Sequence, residues 1–588
     1  MSLTAVGVSG CEDERDPKTW VGKLSETTKR PGAMRRLSQL WRERLANARD
    51  NLQAPEVRAY LNDALPKVVE AFVAHPEELA TRREAMPIIA GSRDPRAVPA
   101  YISALQFSMG NADSENIALE AARAVLAMCA APVGAAPPSS CPRGNAALVT
   151  ALSGAIDRAI GNSGNSPRIR ESAIQALGAL GDRSVVVRLK QLLMRPIEQQ
   201  EIRTARAAAD ALGVLGDPSA AEALVYGLYL NVRRANATNN CNRALVRLGA
   251  DASVPKLIET LRPVGNPVVT QLLLSYGSVA GMSPPPPGYQ QSAAIDVLRN
   301  FADPRGIDPL LALLNDDASM RPPGAEHVGA DVRAAAAETL AYTGLALPAA
   351  DPRRAQIFDA IAAVFRAGTN GGEDDMAPSV APALVLLGDA RAVELLVTRL
   401  RARELQGGDK VPYRLGLLMP LASAVRHDSF AQFEQLATQA QTDLDALLAE
   451  NPDAASEIQG IVRQLATIRS VASVAHDCND GDLACYQGKL GDRERAVVRK
   501  AAYMIAWTGG DNAGARQALL QRADNPDPLA RRSINLAIDA LSPHGCPECI
   551  TRLDAIVAAE RGQESRSLMN LEQEMLIARL RARAGAAH

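Results

Sequence analysis

Apolar residues along this chain recur at three- and four-residue intervals in short runs, and each run stops at a small or polar turn. Within 168–195, Ile174, Leu177 and Leu180 form one stripe, and Val187, Leu189, Leu192 and Leu193 form the next. That spacing places apolar side chains on one face of a helix. Between the two stripes stands Gly181-Asp182. The same punctuation returns as Gly216-Asp217 within 203–230 and as Gly249-Ala250-Asp251. A period of about 34–35 residues predicts stacked helix pairs.

The turn chemistry agrees with the stripes. Gly178 or Gly181 closes the first helix, since glycine tolerates the left-handed residue that ends one. Asp182 and Asp217 cap the second helix, and Pro218 sits in its first turn, where a missing N–H costs nothing. One pair cannot bury its apolar faces alone, so the copies stack. Further turns of this kind stand at Asp94-Pro95-Arg96, Asp303-Pro304-Arg305 and Gly388-Asp389-Ala390-Arg391, with weaker copies at 497–520 and 529–558. The predicted fold is all-α, an α-α superhelix of about twelve helical pairs between Met34 and Arg583, least regular over 414–472. Residues 1–33 read as an export-like N-terminus and tether, 34–583 as the solenoid and 584–588 as a tail. No long β-branched alternation occurs, so almost no strand is expected.

The repeated pattern V/I-R-x-x-A-x-x-A-L-G-x-L-G-D-P-x-A is matched in whole or part at 169–185, 202–220, 332–344 and 383–393. It resembles the bacterial HEAT-like repeats named after phycobilisome lyases. The resemblance implies a HEAT-like solenoid. Its family includes scaffolds, adaptors and a few lyases, so it implies no single activity.

Composition narrows the function classes. Aromatic residues make up only 3% of the chain, and 64 basic residues are balanced by 66 acidic ones for a net charge of −2. A nucleic-acid-binding solenoid needs a basic stripe strong enough to displace counterions, so no nucleic-acid partner is expected. Two local basic clusters, Arg35-Arg36 with Arg42 and Arg44, and Arg399 with Arg401 and Arg403, read as solvated helix faces because Glu43 and Glu404 lie among them.

The N-terminus and the cysteines address compartment. Val8-Ser9-Gly10-Cys11 resembles a bacterial lipobox, in which the cysteine is lipidated, and the polar run Glu12 to Asp16 follows as a tether. The short apolar run 3–10 lacks the basic region expected of an export signal. The resemblance makes Cys11 the lipidation site and the membrane a partner. Of the remaining cysteines, Cys129 and Cys141, Cys478 and Cys485, and Cys546 and Cys549 form three local pairs at helix junctions. Disulfides there would mean an oxidising compartment. Cys241 is left over as a buried small hydrophobe.

Candidate chemistry is sparse. His476, Cys478, Cys485, His544, Cys546 and Cys549 have the residue types of a zinc site. The two clusters lie two repeats apart, which at about 8–10 Å per helix layer separates them by about 20 Å. That is too far for one ion with ligands at about 2.0–2.3 Å. Cys546-Pro547-Glu548-Cys549 has redox spacing but lacks the βαβ setting. No nucleophile motif, phosphate loop or HExxH pair occurs, and no catalytic residue, metal or cofactor is assigned. Polar insertions at 281–290, with prolines 284–287, at 321–330 and at 369–376 are candidates for one binding face. The expected role is a non-catalytic scaffold at the cell envelope, lipid-anchored through Cys11 and binding proteins on its concave surface. An enzyme on HEAT-like repeats (a lyase or thiol oxidoreductase) and a cytoplasmic adaptor are the competing readings.

Overall fold

The computed structural model describes residues 13–586 apart from 107–110, 131–136, 160–165, 197–198, 233–234, 264, 279–285, 287, 349, 369–374, 451–454, 511 and 561–566. Among the described residues there are 29 α-helices, and the only strands are the two-residue antiparallel pair Asn231–Val232 and Ala235–Asn236. The fold is all-α, built from stacked helix pairs. Thirteen pairs follow one another, from Arg30–Asn47 with Pro55–Ala74 to Pro528–Ala540 with Pro547–Ala559, against about twelve expected. Among the described residues no helix is long and apolar enough to cross a membrane.

Residues 17–33 are not a tether. Helix Pro17–Val21, the 3-10 turn Gly22–Ser25 and the start of helix Arg30–Asn47 lie there, with Pro17, Leu24 and Arg30 buried. Leu24 and Arg30 have a structural task. The Arg30 guanidinium bonds the Leu24 carbonyl at 2.7 Å and the Glu78 carboxylate, which fastens this segment to the next repeat.

The glycine ambiguity in the repeat resolves into two roles. Gly181 has φ +74° and makes the left-handed turn, whereas Gly178 lies inside helix Ser166–Leu180. A Cβ on Gly178 would stand 2.8 Å from the Ala211 Cα, so it is the close approach of consecutive first helices that demands glycine there. The aspartates cap 3-10 turns that lead into the second helices. Asp182, Asp217 and Asp303 accept from the backbone N–H of Ser184, Ser219 and Arg305 at 2.9 Å. Where arginine follows two residues later, its guanidinium folds back on the cap, as in Arg96–Asp94, Arg305–Asp303, Arg353–Asp351 and Arg391–Asp389. These pairs hold the four carboxyls below the usual aspartate range, Asp351 at about 2.

A second device recurs in the first turns of the first helices. Arg82, Arg170, Arg414 and Arg531 are each at most 3% exposed. Each donates to a carbonyl that precedes its helix: Pro76 at 3.3 Å, Ala159 at 2.8 Å, Gly407 at 3.1 Å and Asn525 at 2.7 Å. Three also reach a carboxylate further on, namely Glu201, Asp443 and Glu560. A buried guanidinium is tolerated only when paired and hydrogen-bonded, and here those bonds tie one repeat to the next.

The chain divides into two compact units, Met1–Ala223 and Leu224–His588. In the first, the first helices Arg30–Asn47, Leu79–Ser92, Ala112–Cys129, Ser166–Leu180 and Ile202–Leu215 pack side by side in one layer. In the second, the layer of first helices doubles back on itself. Helix Ser567–Ala586 packs on Thr238–Leu248 and Tyr289–Phe301, Pro528–Ala540 meets Ala330–Ala346, and Arg495–Thr508 meets Val411–Ala424.

Candidate protein-docking face

Cys11 lies outside the described residues. The other cysteines form three cystines, Cys129–Cys141, Cys478–Cys485 and Cys546–Cys549, spanning 12, 7 and 3 residues. Cys241 is buried and takes part in none of them. Cys546 and Cys549 are 1% and 0% exposed, in the apolar core around Ile534, Ile538 and Leu553. Sulfurs joined and buried in this way present no thiolate for exchange chemistry or for a metal.

Of the insertions, 281–285, 287 and 369–374 lie outside the described residues. Loop 321–330 is held by Asp316, which accepts from the Val328 N–H at 2.7 Å and faces His327 Nδ1 at 2.6 Å. Of the basic clusters, Arg35, Arg42, Arg401 and Arg403 are exposed as expected, and Arg399 is not. Arg36 pairs with Glu43 at 3.9 Å, but Arg399 is only 14% exposed and bonds the fully buried Asp375 carboxylate at 2.7 Å. Tyr413 donates to the same carboxylate, also at 2.7 Å. Arg399 thus anchors the insertion instead of facing water.

The inner face of Leu224–His588 is taken by the protein itself. Arg247 bonds Glu574, Arg532 bonds Glu572, and Asp539 receives Arg579 at 2.8 Å and Arg583 at 2.9 Å. Trp507 donates its indole N–H to the Leu386 carbonyl at 3.3 Å. Lys500, fully buried, donates to Ala422 O at 2.8 Å and Val425 O at 2.9 Å, and burial brings its amine down to about 7. The recess left among Arg299, Tyr342, Asp539 and Arg579 holds about 10 Å³, no more than one water. A partner on a concave surface of this unit would have to displace these helices.

In Met1–Ala223 the same layer is exposed. Arg123, Arg168 and Arg203, all exposed, stand on three consecutive first helices and surround a recess of about 270 Å³ with Leu126, Glu171, Ser172 and Gln175. None of the three arginines forms a salt bridge among the described residues. Val214, 56% exposed, lies on the same stripe as Arg203, three helical turns along. Sequence analysis did not single out these arginines. Their lack of partners, in a chain where comparable arginines fold onto aspartates, becomes visible only in three dimensions.

The family model "PBS lyase HEAT-like repeat" matches residues 169–193 and 290–316. Two segments of the chain therefore match HEAT-like repeats, within an all-α stack of helix pairs. A comparison with curated proteins found no match. Among solved structures, Kap121p bound to Ste12p aligns over 97% of this chain and 73% of that chain, at 12% identity and a TM-score of 0.29. Human deoxyhypusine hydroxylase in complex with glycerol aligns over 55% and 96%, at 17% identity and 0.18. A structure from work on the interaction between cadherin and beta-catenin aligns over 96% and 98%, at 14% identity and 0.29. At these TM-scores the likenesses carry nothing about function.

Proposed function

We propose that this chain of HEAT-like repeats is a non-catalytic binding scaffold of the cell envelope, and that it docks a protein partner on the first-helix face of Met1–Ala223. The carrying observation is the contrast between the two units. The same layer is filled by the chain's own helices in Leu224–His588, yet in Met1–Ala223 it presents three exposed arginines with no salt bridge among the described residues, around an open recess. Repeat proteins bind along such faces, with many contacts and no turnover. The burial of Cys546 and Cys549 speaks for binding over thiol exchange. The three cystines support an oxidising compartment, and Val8-Ser9-Gly10-Cys11 supports a lipid anchor at Cys11.

The test is capture of crosslinked partners by the tagged chain from its own cells, with Val214→Arg on the proposed face and Val187→Arg as control. Val187 is 65% exposed on a second helix. A specific partner should disappear with the first variant and persist with the second. Equal capture by both would sink the docking face. For the anchor, Cys11→Ala should move the protein from the detergent phase to the aqueous phase, and an unchanged distribution would remove it.

A further inference from the structure

Resting on that docking face, we infer the chemistry of its occupant: an acidic helix of the partner protein, with carboxylates seven residues apart that Arg168 and Arg203 receive, flanked by Arg123. The second unit supplies the template. Its first-helix layer already accepts a helix, Ser567–Ala586, and two of the arginines that this helix meets are answered by its carboxylates, Arg532 by Glu572 and Arg247 by Glu574. In Met1–Ala223 Arg168 and Arg203 are present, and no carboxylate among the described residues forms a salt bridge with either. Three guanidinium groups face one carboxylate, Glu171, around the recess, so the complementary ligand is anionic. Guanidinium forks bind carboxylates in bidentate fashion, which rewards a fixed position over diffuse charge.

The spacing sets the register. Arg168 and Arg203 hold the same place in consecutive repeats, on helices close enough for Gly178 to touch Ala211. Stacked helices lie about 8–10 Å apart. A helix rises 1.5 Å per residue, so about seven residues cover that step and return to the same face. Leu126 in the recess and Val214 on the stripe offer apolar contact beside the charges. Glu120 and Asp210 on neighbouring turns of the same helices oppose a continuous phosphate backbone, which favours a protein helix over nucleic acid.

The experiment is fluorescence anisotropy with the full chain and labelled helical peptides of about fifteen residues. One carries two glutamates seven positions apart, one has glutamines in their place, and one has the same composition with the glutamates on opposite faces. The first should bind about tenfold more tightly than the others, and Arg168→Gln with Arg203→Gln should erase that preference, as expected for losing charged hydrogen bonds. Both arginines are exposed, so the variant keeps its fold, which circular dichroism checks. Equal binding of the three peptides, an inert double variant, or stronger binding of a single-stranded oligonucleotide of equal charge would each overturn the inference. If the peptides fail while Val214→Arg still abolishes capture, the docking face stands and only its chemistry is wrong. If Val214→Arg is inert as well, both fall.

Discussion

Arg247 and Glu574 stand 327 residues apart in the chain and 3.1 Å apart in space. The pair is 20% and 13% exposed, and it joins helix Thr238–Leu248 to helix Ser567–Ala586. A stack of repeats normally has two free ends and depends only on neighbour contacts. Here helix Ser567–Ala586 covers a face of Thr238–Leu248 and Tyr289–Phe301 within the same unit.

The closure predicts a charge-swap result. Glu574→Arg should destabilise the unit by about 3 kcal/mol, the cost of leaving one partner of a buried pair unanswered. Arg247→Glu in the same chain should recover much of that loss. Urea unfolding of the single and double variants measures both. Additive losses would show that the two residues are not coupled.

Two glycines separate close packing from backbone freedom. Gly178→Ala should cost about 1–3 kcal/mol, because its Cβ would meet Ala211 backbone at 2.8 Å and the stacked helices must part. Gly460, in helix Ala455–Asp477, has nothing within 4 Å of its Cβ position. Gly460→Ala should therefore stabilise by about 0.5–1 kcal/mol. Thermal melts decide both, and equal effects of like sign would contradict the packing account.

Lys500 gives the fold a pH dependence on its alkaline side. A neutral amine has two N–H groups, and the structure supplies two acceptors, Ala422 O and Val425 O. Burial lowers its protonation from the ordinary lysine range to about 7, opposed weakly by Asp480. Between about 7 and the ordinary value the unfolded chain keeps the proton and the folded chain has released it. Stability from this group therefore rises with pH across that window, by at most about 1.4 kcal/mol per unit. Wild type should gain on Lys500→Met between about pH 7 and pH 9, read from urea midpoints. A difference that stays flat, or falls, would contradict it.

Reduction should leave the helix pairs folded. Loops of 12, 7 and 3 residues restrict the unfolded chain little, each less than the roughly 3 kcal/mol of a 15-residue loop. A reducing agent should lower the melting temperature by a few degrees without loss of far-ultraviolet helicity. Of the seven cysteines besides Cys11, thiol titration of the protein from its native compartment should count six as blocked and Cys241 as free. All seven reactive would place the protein in the cytoplasm.

The legible part of the fold was its local part. Gly181, Gly216 and the capping aspartates announce themselves because a turn of this kind admits few residue types. Apolar spacing marks helices because it depends on neighbours three and four residues away. The buried arginines gave no signal in the sequence for the same reason. On a helical wheel Arg170 is a polar residue near a helix start, and only the carbonyl of Ala159 and the carboxylate of Glu201 turn it inward. Arg399 was read as solvated, since nothing nearby in the chain hints at Asp375 beneath it. The doubling back of the second unit has no local signal at all. Residues 414–472 looked irregular because Val411–Ala424, Phe430–Glu450 and Ala455–Asp477, with 14, 21 and 23 residues, outgrow the repeat.

The placement of the cystines has a mechanical consequence. Each closes a span inside a single helix junction, so no covalent tie links one repeat to another. Pulled from its ends, the oxidised chain hides only about 70 Å of a contour length near 2000 Å. Repeats can therefore be drawn out one after another under load and fold back when it is released, in the oxidised state almost as far as in the reduced one. Resistance to force must come from side-chain ties such as Arg531 to Glu560, which break and re-form without chemistry.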